Sequence, residues 1–132
     1  MAEVVIVPHT HWDREWYRTF QGFRLRLVEA VGRILELLES GRLPYFLLDG
    51  QTVMLDDHLE IRPQDEGRLQ ALVRDDRLGI GPWYILPDEF LVSGESIVRN
   101  LQFGRERMRR FGAGDAVGYL PDMFGHTAQM PQ

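Results

Sequence analysis

The segment Pro8-His9-Thr10-His11-Trp12-Asp13-Arg14-Glu15-Trp16-Tyr17 sets two imidazoles and a carboxylate at alternate positions. In an extended chain alternate side chains share a side, so His9, His11 and Asp13 point together. Imidazole and carboxylate are donors that zinc accepts at about 2.0–2.2 Å, and a catalytic zinc keeps one position open. Spacing alone does not say which two of the three bind, and a hydrogen-bonded loop is the bland alternative. Asp122, between Pro121 and Met123-Phe124-Gly125, is placed to be a nucleophile, a general base or a metal ligand, and equally a turn aspartate. Asp49 before Gly50 reads as a turn pair and, by its place, as a candidate substrate contact. Trp12, Trp16, Trp83 and Phe124 offer flat faces for stacking on a sugar, although core packing serves Trp12 and Trp83 as well. Asp56-Asp57 and Glu106 to Arg110 read as solvated faces.

The elements that must hold these residues alternate along the chain. Val4 to Val7 is a β-branched run of the kind a buried parallel strand uses. Leu27, Val28, Val31, Ile34, Leu35 and Leu38 recur at three and four, which predicts a helix from about Phe23 to Glu39, stopped at Gly41. Tyr45 to Leu48 is a second strand. A helix follows from near Pro63 to about Arg77, with Leu69, Leu72 and Val73 inward. A third strand runs from about Gly79 to Tyr84. Ser93 caps a third helix whose stripe is Ile97, Leu101, Gly104, Met108 and Phe111, closed by Gly112 and Gly114. Ala116 to Leu120 is a fourth strand. The expected order is β-α-β-α-β-α-β, an α/β class with parallel strands. In such sheets ligands sit beyond the carboxyl ends of strands. His9 to Tyr17, Asp49 to Gln51, Trp83 to Glu89 and Pro121 to His126 all fall there.

Composition narrows the classes. At 132 residues the chain is long enough for one self-sufficient core and is expected to form one domain. It has no cysteine, which removes disulfides, thiolate metal sites and a thiol nucleophile. Twenty acidic residues against fifteen basic give a formal charge of −5, which argues against nucleic acid as a partner. All fifteen basic residues are arginine. No apolar run reaches the roughly 18 residues a membrane span needs, and the first residues lack a secretory pattern, so a cytoplasmic location is expected.

These motifs resemble the zinc-dependent α-mannosidases of glycoside hydrolase family 38, and most of all its bacterial branch with mannosylglycerate hydrolases. The matching stretches are PHTHWDREWY at 8–17, LLDGQTVMLDDHLEIRP at 47–63, IGPWY at 80–84, SGESIVRNLQFG at 93–104 and GYLPDMFGHTAQMP at 118–131. The resemblance implies that His11 and Asp13 bind zinc, and that Asp122 is both nucleophile and zinc ligand. Trp16 would stack on the sugar, and Phe124 would line the same subsite. It also implies that the chain is the amino-terminal part of a larger α/β barrel domain. The fourth zinc ligand, a histidine, and the acid/base carboxylate would then lie beyond it, leaving this segment inactive alone. The substrate would be an α-mannoside or a mannosylglycerate-like compound. A partial barrel leaves an open strand edge, so self-association is expected. The alternatives are a metal-dependent amidohydrolase or deacetylase, in which His9 and His11 form the ligand pair, and a non-catalytic sugar-binding or assembly module.

Overall fold

A computed structural model describes residues 2–114 and 117–130. The first helix, α1 (Phe20–Glu39), begins three residues ahead of its apolar periodicity because Thr19 caps it, its hydroxyl accepting from the Gly22 amide at 3.4 Å. One face buries Phe23, Leu27, Val31, Ile34, Leu35 and Leu38. Strand β1 (Phe46–Leu47) is followed by α2 (Val53–Leu59), a helix the sequence pattern does not announce. The helix expected from Pro63 to Arg77 divides into a 3-10 turn, Pro63–Asp65, and α3 (Glu66–Arg74). Next come strand β2 (Leu78–Gly79) and helix α4 (Gly94–Phe111), with Ser93 as its cap and Gly112 in the left-handed conformation behind it.

β1 and β2 pair in parallel, Phe46 with Leu78 and Leu47 with Gly79. On its other edge β1 meets the first segment, where Leu47 N donates to Pro8 O at 2.9 Å and His9 lies opposite Leu47. The class is therefore α/β with parallel extended segments, but the full alternation is not formed. In the register of His9 with Leu47, the next bond back along this edge would run from the amide of residue 8 to Tyr45 O, and Pro8 has no amide to donate. Val4 to Val7 accordingly make no ladder, and Val4, Val5 and Ile6 are each more than three-quarters exposed. The third strand is cut short where both backbones leave the extended conformation, Asp49 and Gly50 at φ 42° and 63° and Gly81 at φ 67°, and contact resumes only at the bridge between Gln51 and Trp83. Of the expected fourth strand, Ala116 lies outside the described residues and residues 117–120 form no ladder.

Leu27, Leu35, Leu38, Leu48, Leu55 and Leu69 join Met108 and Phe111 in one core beneath β1 and β2. Gly104 belongs to this packing. A Cβ there would collide with the backbone of Pro82 and Trp83, so α4 sits against that segment only because the position is bare. Among the described residues no helix is long and apolar enough to cross a membrane.

Candidate active site

Three connections converge at one end of the parallel segments: residues 9–17 after the first, 49–52 after β1 and 83–89 after β2. Residues 119–127 lie across them. They enclose a cleft of about 590 Å3 whose walls include His11, Asp13, Trp16, Asp88, Asp122 and Phe124.

His11 is the centre of the arrangement. Its Nε2 stands 3.5 Å from Asp13 Oδ1 and 3.5 Å from Asp122 Oδ2, while its Nδ1 is 3.4 Å from Asp49 Oδ1. A carboxylate can only accept, so an Nδ1–H serves Asp49 and an Nε2–H serves Asp13 or Asp122; the Nδ1–H tautomer is the one that leaves the Nε2 lone pair for a metal ion. Asp13 is partly exposed, and Asp122 is largely exposed at a left-handed φ of 58°. An aspartate tolerates that conformation better than most residues.

Asp49 does not line the cleft. It is wholly buried, at 0% exposure, behind His11. Its Oδ2 accepts from Trp12 N at 2.6 Å and from Gln51 Nε2 at 2.7 Å, and the same Gln51 nitrogen donates to Trp12 O at 2.8 Å. Burial pushes its carboxyl above the usual carboxylate range, against the opposing pull of the Trp12 amide, Gln51 and His11. A residue expected to touch substrate is instead sealed beneath a candidate ligand. The turn that carries it uses Gly50 at φ 63°, where a Cβ would come within 2.9 Å of the Tyr119 ring.

His9 faces elsewhere. Its Nδ1 lies 2.9 Å from the Tyr119 hydroxyl, and the residue lines a separate groove with Val7, Leu47 and Tyr119. His9 and His11 therefore do not share a centre.

Asp57, expected on a solvated face, is buried in α2. It takes Arg14 in a two-point clasp, Nε to Oδ2 at 2.7 Å and Nη2 to Oδ1 at 2.9 Å, which raises the pKa of the guanidinium still further. Arg14 also lies over the Phe20 ring at 4.3 Å. The clasp pins the 13–16 segment to the body next to Asp13. Asp56 likewise pairs with Arg107 at 3.0 Å. Only the run Val53-Met54-Leu55 before the two aspartates hinted at a helix with an inner face there.

The aromatic residues divide. Trp83 is buried, with its Nε1 donating to Tyr119 O at 3.1 Å, and Trp12 packs edge-on against Phe23 at 5.7 Å. Trp16 and Phe124 are 74% and 90% exposed on the cleft wall. Glu89, named by the sequence only as a strand-end residue, is buried and holds His126 and the Thr127 amide.

Among the described residues no three histidine, aspartate or glutamate side chains form a ready cation site. The donor chemistry nonetheless fits a divalent ion. Two carboxylates approach one oriented imidazole nitrogen, and the arginine beside them, Arg14, is already neutralised by Asp57.

Fold and site together define an α/β chain with a ligand cleft at its strand ends. Its whole length, residues 1–132, matches the model for the glycosyl hydrolases family 38 N-terminal domain, and the chain belongs to that family. It is 46% identical over 129 residues to a candidate mannosylglycerate hydrolase of Halalkalibacterium halodurans, covering 96% of this chain and 14% of that protein. An alpha-mannosidase of Saccharomyces cerevisiae is 26% identical over 136 residues, covering 100% of this chain and 12% of its own length. The crystal structure of an alpha-mannosidase from Enterococcus faecalis V583 superposes with a TM-score of 0.90 at 44% identity, covering 95% of this chain and 14% of that one. The chain thus spans about one-seventh or less of the relatives it matches.

Proposed function

We propose that this chain supplies the nucleophile and most of the metal ligands of a zinc-dependent, retaining α-mannosidase. The observation that carries the reading is the meeting of Asp13 and Asp122 at the Nε2 of His11, on a cleft with two exposed aromatic faces. His11, Asp13 and Asp122 would hold the ion. When bound, zinc supplies a Lewis acid that grips vicinal sugar hydroxyls and favours ring distortion.

Each residue then has its own task. Asp122 attacks the anomeric carbon and forms a glycosyl-enzyme ester as the aglycone oxygen leaves with a proton. That proton comes from a second carboxyl, which retention requires about 5–5.5 Å from the first. The second carboxyl is assigned to polypeptide outside this segment, in keeping with the small share of each relative that the chain spans. Trp16 and Phe124 stack against the sugar and exclude water from its apolar face. Asp49 fixes the tautomer and heading of His11 without reaching the sugar. The substrate class is an α-mannoside, supported by the names of the relatives, and the mannosylglycerate hydrolase among them makes a mannosylglycerate-like aglycone the first to try.

The test is covalent trapping in a family-length enzyme built on this segment. A fluorinated α-mannosyl donor should leave its adduct on Asp122 and on no other residue. An adduct elsewhere, or a product of inverted configuration, removes the assignment.

A further inference from the structure

Asp122 sits in residues 121–130, a stretch without helix or strand, and needs some external hold to keep its carboxylate facing His11. On the amino-terminal side the hold is Trp83 Nε1 donating to Tyr119 O at 3.1 Å. On the carboxyl-terminal side it is Glu89. That carboxylate is 3% exposed and accepts from the Thr127 amide at 2.6 Å and from His126 Nδ1 at 2.7 Å. Beside it the Phe90 ring lies over Gly125, where a Cβ would come within 2.6 Å of the ring. Burial alone would raise the Glu89 pKa, but the two donors outweigh it and hold the carboxyl below its usual range. Glu89 is therefore an anion, and among the described residues every hydrogen bond its carboxylate accepts comes from the loop that carries Asp122.

We propose that Glu89 is a positioning residue for Asp122, setting the carboxylate's place opposite His11 through His126 and the Thr127 amide. This rests on the reading of Asp122 as a cleft ligand. A charge-assisted pair of bonds to one buried carboxylate is strong and directional. Its partners lie four and five residues beyond Asp122, within reach of a single loop. Losing the grip should free residues 119–127 while leaving α1, α3 and α4 packed as before.

Two measurements on the 132-residue chain test this. In hydrogen exchange, Glu89→Ala should speed exchange across residues 119–127 at least tenfold, with the helices unchanged. Glu89→Gln, which keeps the shape and one acceptor, should recover part of that protection. In NMR, added Mn2+ should broaden the signals of His11, Asp13 and residues 121–124 in the parent chain. In Glu89→Ala it should still broaden His11 and Asp13 while the effect on 121–124 is largely lost. Should Glu89→Ala fail to fold, His126→Ala removes one bond from a half-exposed side chain and carries the same expectation. Unchanged exchange across 119–127 in the variant that folds overturns the proposal. A parent chain that Mn2+ leaves unbroadened counts instead against the metal reading, and the exchange result still decides the role of Glu89.

Discussion

Replacing Asp49 by Asn gives the sharpest probe of how the site is built. The parent carboxylate gives Oδ2 to two donors, Trp12 N and Gln51 Nε2, and leaves Oδ1 to His11 Nδ1. An asparagine has one acceptor oxygen. Two good bonds of 2.6 and 2.7 Å outweigh one long contact of 3.4 Å, so the oxygen stays with Trp12 and Gln51 and the amide NH2 turns to His11. An NH2 group can only donate, which drives the imidazole to the Nε2–H tautomer and removes the lone pair that faces Asp13 and Asp122. Loss of an outer partner commonly lowers metal affinity about 10- to 100-fold, and the length of this contact points to the lower end, about tenfold or about 1.4 kcal/mol. The assay is zinc titration by calorimetry at pH 7.5, paired with 15N NMR of the imidazole to read the tautomer. The fold should survive, because Asn keeps the volume and removes a buried charge. If His11 keeps its Nδ1 proton, or if zinc affinity changes less than twofold, the assignment of Asp49 is refuted.

In a family-length enzyme, Asp122→Asn should abolish several orders of magnitude of turnover with only partial loss of zinc, whereas Asp13→Asn should lose zinc and regain part of its activity in excess metal; kcat beside bound-metal analysis separates them. Gly104→Ala should destabilise the chain by about 3 kcal/mol in urea, since the new methyl meets the Pro82 and Trp83 backbone and not a movable side chain. His58 is fully buried, and burial lowers its pKa below 6.5 although Asp65 at 3.0 Å pulls it upward. The unfolded chain therefore takes up a proton near pH 6.5 that the folded chain refuses, and stability should fall below that pH by up to about 1.4 kcal/mol per unit. His58→Gln should flatten the fall in Tm between pH 7 and 5. The exposed Val4, Val5, Ile6 and Val117 should drive self-association, and a single monomer boundary in sedimentation at high concentration would contradict it.

What the sequence determined by itself is what depends on near neighbours. The i, i+3, i+4 recurrence from Leu27 to Leu38 requires α1, and Ser93 ahead of the Gly104-Met108-Phe111 stripe requires α4, because a helix face and a cap are local matters. The alternation that groups His9, His11 and Asp13 holds for His11 with Asp13 and fails for His9, which turns to Tyr119. Proximity in the fold decided the rest. That Asp57 is buried depends on Arg14, 43 positions away. A turn aspartate at 49 and a strand-end glutamate at 89 carry no local mark of what they hold. Their work comes from His11, Trp12, His126 and Thr127, donors that only the folding of separate strand-end loops into one cleft brings within bonding distance.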